Sequence, residues 1–142
     1  MNEKIVIRTM TIEDYDKVYA LWTVTEGMGL SEADAPANIA KTLARNPGLS
    51  LVAEQAGEIV GSLLCGHDGR RGCLYHLAVS AACRRAGIGR ALVEGCLAGL
   101  RAEGIGKCHV FVFPDNQAGR RFWQHIGLSE RDDVLFYSQE LS

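Results

Sequence analysis

The sequence of 142 residues lacks several features that would each assign it to a familiar class of protein. No stretch approaches the ~18 apolar residues that a membrane-spanning helix needs, and no apolar signal-peptide segment follows the first residues. The formal net charge is −2, whereas nucleic-acid-binding domains are usually strongly basic. These absences predict a cytoplasmic protein without a membrane or nucleic-acid partner.

The cysteines lack the spacing of a disulfide framework or a zinc site. They are odd in number, are separated by 8 to 13 positions and contain no C-x-x-C pair. We therefore expect reduced, mostly buried thiols and no metal site. The cysteines are Cys65, Cys73, Cys83, Cys96 and Cys108.

The composition is that of an ordinary globular protein, with 47% hydrophobic and 23% charged residues. The chain length fits one domain, which we expect to span residues 1–142. Apolar periodicity and turn residues predict a mixed α/β domain. The predicted elements are a strand at 4–9, a helix at 15–22, a short helix after Pro36, a hairpin of strands at 49–54 and 58–64, a strand at 73–79, a helix at 87–103, a strand at 107–113, a helix between 114 and 127, and a closing hairpin within 128–141.

The stretch Arg84-Arg85-Ala86-Gly87-Ile88-Gly89 is the most informative part of the sequence. It joins a predicted strand to a predicted helix and has glycines where a side chain would block a close approach. The first N–H groups of a helix have no partner within the helix and lie at the positive end of its dipole, so they bind phosphate well. The arginines, with Arg90, add positive charge. The pattern predicts an anion site; the alternative is a loop of solvated arginines.

Two common phosphate-binding motifs do not fit this spacing. A P-loop requires a lysine directly after its last glycine, whereas Arg90 follows Gly89. A dinucleotide-binding fingerprint requires a third glycine where Leu92 stands and an acidic residue near His109. The strands before the glycines are also predicted to be linked as hairpins and not as parallel βαβ units. The phosphate ligand is therefore of another kind.

Arg84-x-x-Gly87-x-Gly89 resembles the R/Q-x-x-G-x-G/A signature of the GNAT superfamily of N-acetyltransferases, whose members bind the pyrophosphate of acyl-CoA there. The preceding segment 75–79, Asn116, and Phe122-Trp123-x-x-x-Gly127-Leu128 are also similar to the family. The resemblance covers nearly the whole chain and extends to small bacterial YpeA-like members. It implies the GNAT fold, an α/β fold whose mixed, mostly antiparallel central sheet is flanked by about four helices and splayed at the acyl-CoA strand.

Carried over by position, the resemblance implies acetyl-CoA as co-substrate. The backbone of residues 77–79 would bind the pantetheine arm as an added strand, and an N–H of Leu77 or Val79 would stabilise the oxyanion of the thioester. Asn116 would hydrogen-bond the pantetheine or the sulfur side. The implied cofactor-binding residues are Leu77, Ala78, Val79, Arg84, Arg85, Ala86, Gly87, Ile88, Gly89, Arg90, Asn116 and Trp123.

One departure from the family concerns the proton that the leaving CoA thiolate must gain. Many members place a tyrosine seven residues after the asparagine, and this sequence has Trp123 there. An indole N–H donates hydrogen bonds but does not act as a general acid. Water, Tyr75 or His125 are the alternative proton sources. Trp123 itself is expected to be a packed aromatic residue beside the cofactor.

The attacking amine must be neutral, so a base is expected. Two candidates follow from their positions: Glu26, in the loop after the first helix, and His76, next to the cofactor strand. The alternative interpretations are a solvated loop acid and a histidine with structural partners on a sheet face. The predicted catalytic residues are thus Glu26, His76 and Tyr75. Weaker candidates are Glu32, Asp34 and Asp68.

The sequence therefore predicts an acetyl-CoA-dependent N-acetyltransferase. It would transfer an acyl group to a primary amine of a small molecule or a peptide, by direct attack in a ternary complex. Two alternatives stay open: a non-catalytic acyl-CoA-binding regulatory module, and a protein N-terminal or lysine acetyltransferase. Because family members are often dimers, a homodimer is a further prediction that the resemblance leaves open.

Overall fold

A computed structural model describes residues 4–141 of the protein. Its centre is a five-stranded sheet in which the strands follow one another in chain order. The first four strands are antiparallel, and the fifth runs parallel to the fourth. The strands are β1 (Val6–Thr9), β2 (Leu51–Gln55), β3 (Glu58–His67), β4 (Gly72–Val79) and β5 (Cys108–Val110). The predicted mixed, mostly antiparallel sheet is thus present.

Four α-helices accompany the sheet within the described residues: α1 (Tyr15–Thr23), α2 (Pro36–Arg45), α3 (Ile88–Ala102) and α4 (Gln117–His125). Their starts follow ordinary signals. Pro36 is the first residue of α2, where the missing N–H leaves no hydrogen bond unmade, and the Asn116 side chain caps α4 by accepting from the Gly119 N–H at 3.0 Å. None of these helices has both the length and the apolar composition that a membrane crossing requires.

The two faces of the sheet bury different helices, because successive side chains of a strand point to opposite sides. On one face Val52 packs with α1 and α2. That cluster consists of Met10, Val18, Leu21, Trp22, Ile39, Val52, Leu64 and Ala78. On the other face α3 lies so close that a Cβ at Gly61 would be 2.8 Å from Ile88, and one at Gly95 would be 2.6 Å from Leu51. Glycine at these positions therefore sets how closely α3 packs on the sheet.

The contacts between residues group the chain into two compact units, one ending at Phe111 and the other beginning at Val112. The second unit contains α4 and has its own interactions. Arg120 forms a 3.0 Å ion pair with Glu130, and the rings of Phe122 and Trp123 meet edge to face with centroids 5.2 Å apart. Within the structure Trp123 is buried.

The predicted closing hairpin is wrong for the described residues, since 128–141 contain no strand. Apolar side chains in this stretch are exposed, among them Val134, Leu135, Phe136, Tyr137 and Leu141. Alternation of apolar and polar residues defines a face for a strand but not the partner that its backbone needs. For the same reason β5 is shorter than the predicted 107–113: its pairing with β4 ends at Val110.

Candidate functional site

The loop before α3 forms an open helix N-terminus. Arg85 and Gly87 have φ of 71° and 79°, in the left-handed region, and α3 begins directly afterwards. The first bond of the helix runs from the Ala91 N–H to the Gly87 carbonyl at 3.0 Å. No side chain caps the helix, so the N–H groups of residues 88–90 have no acceptor among the described residues. Such N–H groups at the positive end of a helix dipole are suited to a phosphate.

Two arginines supply free positive charge at this N-terminus. Arg84 and Arg85 are exposed, and neither forms an ion pair within the described part of the chain. Arg90 differs, because its Nε lies 2.9 Å from a carboxylate oxygen of Glu94 one turn along the helix. An exposed pair of this kind is weak, so Arg90 can exchange Glu94 for another anion. Within the described part of the chain, residues 84–90 therefore combine helix N–H groups that have no acceptor with two arginines that form no ion pair, which suits an anion, and the anion site stays a prediction.

The strand β4 has one edge that is only partly paired. Along β3 its pairing continues to Val79, which lies opposite Gly61. Along β5 it covers Gly72, Cys73 and Leu74 only. Over residues 75–79 the β5-side edge therefore has no strand partner among the described residues. Backbone groups at such an edge can pair with an extended ligand, and the predicted pantetheine strand 77–79 lies within this open edge.

A β-bulge interrupts β4 at the start of this edge. Ser62 pairs with Ala78 and Leu64 with Tyr75, so Leu63 alone lies opposite both His76 and Leu77. His76 has φ of 57°. Left-handed backbone is uncommon outside glycine, although histidine tolerates it better than most residues. Bulges often re-aim a side chain next to an active site, and here the re-aimed side chain is the predicted base.

The His76 imidazole is held by a buried carboxylate. Its Nε2 lies 2.7 Å from Oδ1 of Asp34, whose side chain is 8% exposed. The other oxygen of Asp34 accepts from the Ser31 N–H at 3.0 Å, and the Asp34 carbonyl accepts from the Tyr15 hydroxyl at 2.6 Å. The Trp22 ring packs edge-on against the imidazole, with centroids 4.9 Å apart. Carboxylate and indole together set the orientation of His76.

The other two predicted catalytic residues have different surroundings. Glu26 is exposed in the turn after α1 and forms no hydrogen bond with His76 or Asp34. Tyr75 is 45% exposed, and burial of its phenol, with a hydrogen bond to Cys73, raises its pKa to about 12. A phenol of that pKa is a much weaker acid than a thiol at ~8.5. Tyr75 is therefore a poor proton source for a leaving thiolate.

Three residues predicted at the sulfur end of the ligand belong to the second unit. Asn116 already uses its side-chain oxygen to cap α4, which leaves its amide N–H₂ for a ligand. Trp123 is buried beside Phe122, and His125 is the last residue of α4. Across residues 4–141, no cluster of three or more histidine, cysteine or acidic side chains is arranged to hold a metal ion.

The pairing of Asp34 with His76 is the part of the site that the sequence reasoning missed. Asp34 lies in a stretch interpreted as a loop, 42 positions before His76. The structure places it at the end of a short 3-10 turn, Glu32–Asp34, where Ser31 and Asp34 form a reciprocal capping box. The Ser-x-x-Asp spacing was the available signal that this carboxylate is held in place.

An open strand edge followed by an uncapped helix N-terminus is suited to an extended ligand with phosphate at one end. Residues 15–128 match the model of the Acetyltransferase (GNAT) family. The chain belongs to this family, and the predicted class of enzyme, an acetyl-CoA-dependent acyltransferase, is thereby confirmed.

Bacterial relatives agree with this assignment. An acetyltransferase of Sodalis glossinidius is 34% identical over 135 residues, which cover 95% of this chain and 94% of the relative. An acetyltransferase of Pectobacterium atrosepticum is 38% identical over 112 residues, or 79% of each chain.

Solved structures share the fold. The PaiA N-acetyltransferase of Thermoplasma acidophilum in complex with coenzyme A has a TM-score of 0.79 and 19% identity, over 92% of this chain and 93% of that one. The diaminobutyrate acetyltransferase of Paenibacillus lautus, in complex with L-2,4-diaminobutyric acid and coenzyme A, has a TM-score of 0.71 and 23% identity, over 87% of this chain and 74% of that one. The predicted GNAT fold is confirmed. Acetyl-CoA, the predicted co-substrate, is a thioester of the coenzyme that both structures hold.

Proposed function

We propose that the protein transfers an acetyl group from acetyl-CoA to a primary amine by direct attack in a ternary complex. The observation that carries the proposal is the continuity of the open edge of β4, residues 75–79, with the uncapped N-terminus of α3. Pantetheine is an extended chain with amide groups that pair with a strand edge. The pyrophosphate of CoA, at the far end of that arm, would bind the N–H groups and arginines of residues 84–90.

The chemistry needs one attack and two proton movements. The amine nitrogen attacks the thioester carbonyl carbon, a C–N bond forms, the C–S bond breaks and CoA leaves as a thiolate. The nitrogen loses a proton to a base, for which His76 is the candidate, and the thiolate gains one from water. An N–H of Leu77 or Val79 on the open edge would stabilise the negative oxygen that develops during attack. No covalent enzyme intermediate is required.

The acceptor that we propose is a primary amine on a small molecule. Two structurally similar proteins were solved with ligands of this kind, diaminobutyric acid in one and a bisubstrate analogue built on acetylneamine in the other. Peptide amines are the second acceptor class, and the cytoplasmic location and the homodimer stay predictions. If the protein binds acetyl-CoA but releases no CoA with any amine of a broad panel, it is a non-catalytic binding module and the proposal fails.

A pair of matched variants tests the cofactor site. Gly87→Glu places a carboxylate beside the free N–H groups of α3, where it repels the pyrophosphate and competes for the donors. We expect the Kd for acetyl-CoA, measured by calorimetry, to rise by about tenfold or more, which corresponds to ~1.4 kcal/mol.

The control is Gly48→Glu. Gly48 has φ of +80° and no atom within 4 Å of an added Cβ, as at Gly87. Gly48→Glu therefore introduces the same backbone strain and the same charge as Gly87→Glu, but in the turn after α2. Gly48→Glu should bind acetyl-CoA as the wild type does. An equal rise in the Kd for acetyl-CoA in both variants, or no rise in either, would contradict the assignment of the pyrophosphate to α3.

A further inference from the structure

The two ring nitrogens of His76 have unequal surroundings. Nε2 lies 2.7 Å from Oδ1 of Asp34, and the other oxygen of that carboxylate already accepts from the Ser31 N–H. An ionised carboxylate only accepts hydrogen bonds, so against Asp34 in that form Nε2 carries the proton and donates it to Oδ1. Nδ1 has no hydrogen-bond partner among the described residues. The imidazole is therefore held in the tautomer whose lone pair is on Nδ1.

We propose that Asp34 is a positioning residue that makes Nδ1 of His76 the base for the attacking amine. The inference rests on the proposed function and deepens it by assigning the proton to one atom. The substrate ammonium passes one proton to Nδ1, which leaves a neutral amine for the attack and gives an imidazolium ion whose other N–H points at the Asp34 carboxylate. The nitrogen loses its second proton to water once the C–N bond has formed. The buried carboxylate stabilises that cation. The imidazolium then returns the proton to solvent, and the departing thiolate is protonated by water.

A second histidine in the same unit differs from His76 in how the fold uses its ring nitrogens. His67 also has its Nε2 2.7 Å from a carboxylate, that of Glu103, and its side chain is 19% exposed against 18% for His76. Its Nδ1, however, accepts from the Gly69 N–H at 2.9 Å. Both nitrogens of His67 are therefore used by the fold, whereas His76 keeps one basic nitrogen unused at the open edge of β4.

The backbone at His76 supports the same conclusion. Its φ of 57° lies in a bulge directly before the residues proposed to bind the pantetheine arm. Left-handed backbone at a residue other than glycine persists only where its surroundings enforce it, and such strain clusters at active sites.

Asp34→Asn is the sharpest test, because Ser31 dictates how the amide is oriented. The amide oxygen must accept from the Ser31 N–H, which turns the N–H₂ group toward Nε2 of His76. Nε2 must then accept, so the imidazole proton moves to Nδ1 and the base is lost. We expect kcat for an alkylamine to fall by about 100-fold or more, with an unchanged Kd for acetyl-CoA. An arylamine is already neutral near pH 7, and kcat for it should fall by less than about threefold.

The tautomer can be read directly by NMR of the imidazole nitrogens in isotope-labelled protein. His76→Asn identifies the His76 signals, since asparagine also tolerates the left-handed backbone, and should lower kcat for the alkylamine to the same extent as Asp34→Asn. We expect the proton on Nε2 in the wild type and on Nδ1 in Asp34→Asn. Glu103→Gln, which alters the equally short pair at His67, should leave kcat and the His76 tautomer unchanged.

The proposal is overturned if Asp34→Asn keeps the proton on Nε2, or if kcat falls equally for alkylamines and arylamines. The second result would indicate a structural role for Asp34. Failure of the proposed function is distinguishable, because it would appear as absent acetyl-CoA binding or absent turnover in the wild type. Even if the wild type shows no turnover, the tautomers measured in the wild type and in Asp34→Asn show whether Asp34 holds the imidazole proton on Nε2 of His76.

Discussion

Arg8 shows how a single side chain joins three elements of this fold. From β1 its guanidinium donates two hydrogen bonds to Asp14, at 2.8 and 2.9 Å, and one to Glu54 of β2 at 2.8 Å. The hydrogen bonds from Arg8 lower the pKa of Asp14 in spite of its burial, and those to Asp14 and Glu54 raise the pKa of Arg8. The Thr11 N–H also donates to Asp14. The entry to α1 thus depends on an ionised Asp14.

The lowered pKa of Asp14 predicts how stability varies with pH. A carboxyl group whose pKa is depressed by folding stabilises the protein fully above its ordinary pKa of ~3.9, and this contribution is lost as the pH falls through the depressed value. Asp14→Asn should cost about 1–2 kcal/mol near pH 7, a range that is reduced because Arg8 is partly exposed. The difference from the wild type should shrink below about pH 4.

Urea unfolding of both proteins across this pH range measures the effect. Glu13→Gln provides the control, because Glu13 is the exposed acidic neighbour of Asp14 on the same turn. A difference between wild type and Asp14→Asn that stays constant down to acid pH would show that the hydrogen bonds of Asp14 do not depend on its charge.

At the scale of elements, the position of α3 depends on a glycine in the strand beneath it. A Cβ at Gly61 would lie 2.8 Å from Cγ2 of Ile88 and 3.1 Å from Leu92. Cγ2 is attached directly to the branched Cβ of Ile88 and cannot swing away as the end of a long side chain could. Ile88 is also the first residue of α3, so any shift there displaces the N–H groups of the anion site.

We therefore expect Gly61→Ala to reduce both stability and cofactor binding. Overpacking of this kind typically costs about 1–3 kcal/mol in the free energy of unfolding, and the Kd for acetyl-CoA should rise with it. Chemical denaturation and calorimetry measure the two quantities. Gly106→Ala is the control, since a Cβ there meets no atom within 4 Å. Loss of stability with unchanged affinity would show that α3 shifts without moving its N-terminus.

The elements that the sequence predicted well are those whose signals are local. The predicted helix at 87–103 is observed at Ile88–Ala102, because its apolar period and the flanking Gly87 and Gly104 lie within the segment itself. The β2–β3 hairpin is encoded in the same way. The candidate anion site at residues 84–90 could also be predicted, since its glycines and arginines are adjacent in the chain.

The features that the sequence did not predict depend on distant partners. The end of β5 at Val110 and the absence of strands in 128–141 depend on whether the backbone has a partner strand to pair with. A local sequence pattern does not specify that partner. The Asp34–His76 pair joins a 3-10 turn to a bulge 42 positions away. Each residue was visible as a candidate by itself, but only the fold brings the two together.

At the scale of the whole molecule, all five cysteines are free thiols with different accessibility. Cys65 and Cys96 are buried, while Cys73, Cys83 and Cys108 are half-buried. The hydrogen bond between the two buried thiols lowers the pKa of Cys65 and raises that of Cys96. Burial raises the pKa of Cys108. The fold therefore ranks its thiols by exposure and by the ease of forming a thiolate.

This ranking predicts the course of a thiol titration. In native protein a thiol-reactive disulfide reagent should leave Cys65 and Cys96 unmodified until denaturant is added, and Cys108 should react slowly because burial raises its pKa. Mass spectrometry of the labelled peptides identifies each site. The Tm should not change with a reducing agent. Rapid modification of Cys96 in native protein would show that α3 opens away from the sheet.

The left-handed backbone at His76 limits which side chains can replace it. Glycine, asparagine and aspartate tolerate this conformation, whereas branched residues such as valine do not. We therefore expect position 76 to accept histidine, aspartate, asparagine or glycine without a change in the backbone of β4. His76→Asn would keep the open strand edge for acetyl-CoA while turning the substrates over at least about 100-fold more slowly. It would serve as a trap for recovering the natural amine from a cell extract.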